Sequence, residues 1–174
     1  MTPEIYKISD IAHILNGTLI NNDSSLSEVR YLLTDSRKVV SAASSLFFAI
    51  KGDRRDGHEF IADLHEAGVR NFVISDEQFS NKYPDSNFVV TKNTLGALQE
   101  VASFHRNKFH IPVVAITGSN GKTIVKEWLY QLLREDHDIV RSPKSYNSQI
   151  GVPLSVWQMK KEHDLAIFEA GISE

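Results

Sequence analysis

The stretch "VVAITGSNGKTIVKEWL", Val113 to Leu129, decides how this chain is read. Val113-Val114-Ala115-Ile116 is short, β-branched and closed by glycine, which predicts a buried strand. Beyond Thr123, the residues Val125, Leu129 and Leu132-Leu133 recur at helical spacing, so a helix is expected to open near Gly121. A phosphate cradle needs glycines for close backbone approach and a helix N-terminus whose unpaired amides favour negative charge. It also needs a lysine for the outer phosphates and a hydroxyl for a metal ion. Gly118, Ser119, Asn120 and Gly121 supply the loop, Lys122 the ammonium and Thr123 the hydroxyl. The pattern G-x-x-x-x-G-K-[ST] is not met in full, because Ile116 stands where its first glycine belongs. A plain turn would not require Lys followed by Thr at the helix start.

Nucleotide chemistry also calls for a carboxylate near the metal. Glu169 follows the apolar run Leu165-Ala166-Ile167-Phe168, at the C-terminal end of an expected strand, where open α/β sheets place their ligands. The alternative for Glu169 is a solvated strand-end carboxylate. Lys126 and Glu127, one turn into the helix, read by themselves as a solvated face.

Working outward, Ser9 is expected to cap a short helix stopped by Gly17, and Val29–Leu33 and Leu46–Ile50 are expected strands. A helix is expected over His58–Ala67, strands at Phe72–Ile74 and Phe88–Val90, and a long helix from Asn93 or Thr94 to about Lys108. "NKFHIP", Asn107 to Pro112, reads as a boundary, giving domains 1–109 and 110–174. The second contains the strand and loop above, Ile139-Val140, a helix from about Pro153, and Leu165–Phe168. Alternating strands and helices predict an α/β fold: a small N-terminal domain, then the start of a mostly parallel P-loop sheet that looks truncated.

Composition bounds the function. The chain has 174 residues, 41% hydrophobic and 24% charged, with 19 Lys and Arg against 22 Asp and Glu. The two expected domains carry 12 basic and 14 acidic residues before Ile111, and 7 and 8 from it onward, so neither is a nucleic-acid footprint. Cysteine is absent, which rules out disulfides and thiol catalysis. No apolar run reaches the length of a membrane span and no secretory leader is visible, so a cytoplasmic location is expected. His13, His65, His105, His110, His137 and His163 show no metal spacing.

Four blocks, in order, resemble the Mur ligases, ATP-dependent amide-forming enzymes of bacterial cell-wall synthesis. "AITGSNGKT" is similar to their shortened P-loop. "TDSRKVVSAASSLFFAIKGDRRDGHEFI", Thr34 to Ile61, resembles the N-terminal UDP-sugar-binding domain. "SYNSQIGVPLSV", Ser145 to Val156, resembles a segment Asn-Asn-x-Ile-Gly-Val-Pro-Leu, and "FEAGIS", Phe168 to Ser173, the Glu-x-Gly piece with a magnesium ligand. Gly118-Ser119 with Lys126-Glu127 look most like the MurF type, which joins D-Ala-D-Ala to UDP-MurNAc-tripeptide; the MurE type, a folylpolyglutamate synthase and a non-catalytic nucleotide- or UDP-sugar-binding module are the alternatives.

The resemblance implies that ATP phosphorylates the substrate carboxylate and that an amine then displaces phosphate from the acyl phosphate. It assigns Lys122, with Gly118, Ser119, Asn120 and Gly121, to the ATP phosphates, and Thr123 and Glu169 to Mg2+. It assigns Ser36, Arg37, His58 and Asn147 to the substrate. Structural turns at Asp35-Ser36 and Asp56-Gly57-His58 are the competing readings. Departures are Ser41-Ala42-Ala43 for the usual Pro-Gly, Ser148 for the second asparagine, and Ile124 for a hydroxyl residue. The later family blocks, with the carboxylated lysine and adenine pocket, are not in the sequence, so a fragment inactive alone and binding ATP weakly or not at all is expected. Some relatives carry a C-terminal alanine racemase domain, which nothing in these residues tests.

Overall fold

A computed structural model describes residues 4–20, 27–53 and 55–171. The Ile172-Ser173 end of the last quoted block lies outside the described residues. The chain divides into two compact units, Met1–Val101 and Ala102–Glu174.

The first unit is built on a five-stranded sheet. Strands β4 (Tyr31–Leu33), β5 (Ser45–Phe48), β6 (Asn71–Ile74) and β7 (Asn87–Val90) run parallel, each beside the next, and β2 (Thr18–Ile20) joins β7 antiparallel. β5 and β6 are buried at every position, as expected of parallel strands covered on both faces. Phe72 stacks on Phe88 at 5.2 Å and meets Phe47 edge-on at 6.4 Å, with Leu33, Ile61, Leu64 and Val69 closing the core.

Local chemistry moves several expected boundaries. Ser9 is not the cap of α1 (Ile8–Ile14) but lies inside it. β1 (Tyr6–Lys7) pairs with β3 (Glu28–Val29) and the Ile8 amide bonds to Ser27 O at 2.9 Å, so the chain turns helical two residues sooner than Ser9 allows. The expected strand Val29–Leu33 divides at Arg30, whose amide bonds to Ser44 O, because β3 pairs with β1 while β4 pairs with β5. The expected helix over His58–Ala67 becomes a 3-10 turn at Gly57–Phe60 followed by α2 (Ile61–Glu66). α3 (Thr94–Arg106) matches its signal, and the Thr94 hydroxyl donates to Ala49 O at 3.0 Å. The unit division falls inside α3.

In the second unit β8 (Val113–Ile116), β10 (Leu165–Glu169) and β9 (Ile139–Arg141) form a parallel sheet with β10 central. β10 is buried at every position. β8 is a correction: it was expected to be buried, yet Val113 and Val114 are each 37% exposed, because an edge strand has only β10 beside it. α4 (Lys122–Leu133) packs on β10, and α5 (Gly151–Val156) starts two residues before the expected Pro153, which the first helical turn accommodates. His105 is buried against Phe109 and Trp157, with Nε2 3.0 Å from Met159 O.

Candidate functional site

The loop after β8 has the backbone its glycines imply. Gly118 has φ +139° and Gly121, the residue before α4, has φ +78°; both lie where L side chains rarely go. Beyond its neighbours along the chain, no atom lies within 4 Å of the position a Cβ on Gly121 would take, so this side of the loop is open. Lys122 arches back over the loop and donates from Nζ to Gly118 O at 2.5 Å. The first amides of a 12-residue helix then point toward the loop, carrying the positive end of its dipole.

Glu169 ends β10, beside the start of α4. The structure brings the two expected metal ligands together, with Thr123 Oγ1 donating to Glu169 Oε2 at 3.1 Å. Glu169 is fully buried rather than solvated. Its amide donates to Ser142 Oγ at 3.0 Å. Lys126 Nζ lies 2.9 Å from Oε1, an ion-pair distance off the direction a hydrogen bond needs, so Oε1 is buried with no hydrogen-bond donor. A carboxylate whose Oε1 is ion-paired but accepts no hydrogen bond, beside a threonine hydroxyl, is a hard-oxygen donor set of the kind Mg2+ takes, usually with phosphates and waters completing the shell. The residues present fit the ion.

Lys126 and Glu127 correct the solvated-face reading. Lys126 is 0% exposed. Its ammonium donates to Ser142 O at 2.8 Å and to Lys144 O, and lies 3.3 Å from Glu127 Oε1. Glu127 also pairs with Arg141, whose guanidinium sits 3.9 Å over the Tyr130 ring. The signal was in the spacing, since Lys126 follows Thr123 by three and Lys122 by four, the offsets that share a helix face.

Asn147 lies in the segment between β9 and α5, and its carbonyl accepts from Gly171 N at 2.7 Å. Ser148, in place of the family's asparagine, accepts from Gly151 N at 3.0 Å and so takes up the first amide of α5, whose N-cap residue is Ile150.

In the first unit, Ser36 and Arg37 open a 3-10 turn, Ser36–Lys38, at the end of β4. Asp35 accepts from the Arg37 amide and is forked by its guanidinium, Nε to Oδ1 at 2.9 Å and Nη2 to Oδ2 at 2.8 Å. The Arg37 hydrogen bonds hold the Asp35 carboxyl down at about 2, against a smaller opposing push from burial. Arg37 itself is largely in water, its side chain 84% exposed.

His58 is 4% exposed, with both ring nitrogens engaged. Nε2 accepts from the Ser75 amide at 3.1 Å, which leaves Nδ1 to carry the proton toward Asp56 Oδ1 at 2.5 Å. Burial would raise the Asp56 carboxyl, but the His58 amide and ring, with Lys51, keep it below its ordinary value. Because β4 to β7 are parallel, Ser36, Arg37 and Ser75 lie at one edge of the sheet. A cavity of about 620 Å³ opens on that edge, lined by Ser75, Thr91, Lys92, Asn93 and Glu100 among others, though not by Ser36, Arg37 or His58.

Residues 28–115 match the family model "Mur ligase family, catalytic domain", and residues 116–174 match "Mur ligase middle domain". The chain is similar to UDP-N-acetylmuramoyl-tripeptide–D-alanyl-D-alanine ligases. It is 32% identical to that of Bacillus subtilis (95% of this chain, 36% of the relative), 38% to that of Borreliella burgdorferi (83% and 33%) and 34% to that of Escherichia coli (94% and 34%). It thus spans about a third of the length of these curated relatives. Among solved structures it resembles the UDP-N-acetylmuramoylalanyl-D-glutamyl-2,6-diaminopimelate–D-alanyl-D-alanyl ligase from Acinetobacter baumannii (TM-score 0.87, 26% identity, 99% of this chain and 37% of that one). It also resembles the Thermotoga maritima MurF ligase in complex with ADP (TM-score 0.67, 26% identity, 84% and 33%). Two adjoining family matches, which together run from residue 28 to residue 174, show that the chain belongs to the Mur ligase family.

Proposed function

We propose that this chain forms the UDP-sugar-binding region and the phosphate-loop region of an ATP-dependent ligase. The ligase adds D-Ala-D-Ala to UDP-MurNAc-tripeptide in the cytoplasm by way of an acyl phosphate. The observation that carries the reading is the Thr123–Glu169 contact at 3.1 Å beside Lys122, on a chain whose curated relatives bear that activity in their names. Among the described residues no helix is long and apolar enough to cross a membrane.

In this reading Lys122 leaves Gly118 O for the outer phosphates of ATP, and the amides of Gly118, Ser119, Asn120 and Gly121 cradle them. Phosphoryl transfer asks mainly for such positioning and charge neutralisation. Thr123 and Glu169 hold Mg2+, which when bound supplies positive charge against the phosphates. Asn147 serves the substrate side of the same region.

In domain 1–109, Arg37 exchanges Asp35 for the diphosphate of the UDP moiety, since a guanidinium forks onto either anion. Ser36 offers its hydroxyl and amide to the same end. His58 acts from behind, holding Gly57–Phe60 and Ser75 in register so that the sheet edge can receive the substrate. The test is made with the full-length protein that contains this stretch. We expect phosphate release that requires ATP, UDP-MurNAc-tripeptide and D-Ala-D-Ala together; release supported instead by a dipeptide precursor and one amino acid contradicts the assignment.

A further inference from the structure

Lys126 is a fully buried cation that the phosphate-loop reading leaves without a task. It stands one turn after Lys122, and long helical side chains lean toward the helix N-terminus, so its ammonium is carried over Thr123 toward the end of β10. There it meets two kinds of group. One is the Glu169 carboxylate, at 2.9 Å. The other is the backbone after β9: Ser142 O at 2.8 Å and Lys144 O.

We propose that Lys126 is a positioning residue with a double hold: it fixes the Glu169 carboxylate against Thr123, and it anchors the Ser142–Asn147 segment to the same point. The inference rests on the reading of Thr123 and Glu169 as the metal-holding pair. Three observations support it. An ammonium has three N–H donors, and the two carbonyls take two of them in hydrogen bonds, leaving the remaining charge for the carboxylates of Glu169 and Glu127. Lys144 has φ +51°, a conformation a non-glycine residue keeps only where its surroundings hold it, and its carbonyl is one that Lys126 grips. The segment is laced on either side of that grip to β10, by Ser142 N to Ile167 O at 3.1 Å and Glu169 N to Ser142 Oγ at 3.0 Å, and to the residues just after it, by Gly171 N to Asn147 O at 2.7 Å. Metal-facing carboxylate and Asn147 segment therefore share one ammonium. A shift of Glu169 toward an ion moves the charge that Lys126 faces, and through it the carbonyls that shape the path to Asn147.

The test compares wild type with Lys126→Met, Lys126→Arg and the charge-balanced pair Lys126→Met with Glu169→Gln. Tripolyphosphate affinity is measured by NMR titration with and without Mg2+, and amide hydrogen exchange across the second unit. In Lys126→Met we expect the Mg2+-dependent gain in affinity to fall by about 10–100-fold, the range for residues that orient a metal ligand. Binding without Mg2+ is unchanged, exchange quickens at residues 142–147 ahead of β8 to β10, and Lys126→Arg recovers part of the gain. Equal losses with and without Mg2+, uniform exchange, or a Mg2+ gain equal to or greater than wild type overturns the proposal. Should Lys126→Met fail to fold, the paired variant, which leaves no lone buried charge, decides the anchoring: exchange at 142–147 no faster than in β10 refutes it. A wild type with no Mg2+-dependent gain refutes the metal reading and with it the carboxylate half of the proposal, while exchange still decides the segment half.

Discussion

At Asp35 one side chain carries two competing demands. Its carboxyl is held at about 2 chiefly by hydrogen bonds from Arg37, the residue proposed to meet the substrate's diphosphate. A depressed carboxylate contributes stability that is complete above its unfolded value of about 3.9 and is lost as pH falls toward 2. The contribution is small, since the pair is open to water. We expect Arg37→Ala to raise the Asp35 midpoint from about 2 toward the ordinary carboxylate value, read by NMR of its side-chain carboxyl; an unmoved midpoint contradicts the fork. His58 makes a second prediction. Its removal as His58→Ala deletes a 4%-exposed ring and the hydrogen bonds it makes to the Ser75 amide and to Asp56, with an expected loss of about 1–3 kcal/mol in chemical unfolding. A loss below about 0.5 kcal/mol, the size of an ordinary surface change, would show the ring to be free.

The turn from Gly118 to Thr123 was legible because its signal is local: six consecutive residues supply the glycines, the lysine and the hydroxyl at the start of α4. Lys126 was not, because its burial depends on Ser142, Lys144 and Glu169, which no window around residue 126 contains. His58 was half legible. The Asp-Gly-His order suggested a turn, but the Ser75 amide that fixes the ring comes from the bend after β6, far away in sequence.

Elements were legible where one periodicity ran without interruption, as in α3, β7, β8 and α4. They were not where a partner set the boundary, as at Arg30 between β3 and β4, or where a side-chain cap at Asp56 tightened the first turn before α2 into 3-10 form. Two glycines separate conformation from space. Gly121 needs its positive φ yet has open room around it, so Gly121→Ala should cost about 1–2 kcal/mol, the penalty of left-handed backbone alone. At Gly151, the first residue of α5, a Cβ would lie 2.9 Å from Tyr146 C and Cα, backbone atoms that cannot swing aside. Gly151→Ala should therefore cost about 1–3 kcal/mol by overpacking and disturb the Tyr146–Asn147 turn. Unfolding measurements on both variants, with amide shifts near Asn147 moving in Gly151→Ala alone, check this distinction.

At the scale of the molecule, the alternation of strands and helices gave the α/β class, but strand order lay beyond it. The antiparallel β2 beside β7 and the central place of β10 arise from pairings far apart in sequence. The second unit carries an open apolar face: Ile124, Val125, Trp128 and Leu132 on α4 are 56%, 44%, 64% and 74% exposed. Contiguous apolar surface of this kind is unusual on a monomer. We expect an environment-sensitive apolar dye to bind there, and Trp128→Glu with Leu132→Glu to remove most of that binding while leaving unfolding midpoints nearly unchanged; undiminished dye binding places the open surface elsewhere.

The central claim is that the loop from Gly118 to Thr123 captures phosphate. The most direct measurement follows its backbone amides by NMR as Mg2+ and tripolyphosphate are added to this chain and to its Lys122→Ala variant. The account expects the largest shifts at Asn120 to Thr123, saturating in wild type, with affinity at least about tenfold weaker in the variant, as loss of a charged hydrogen bond implies. Shifts scattered over the surface, or the same affinity in both proteins, would contradict it.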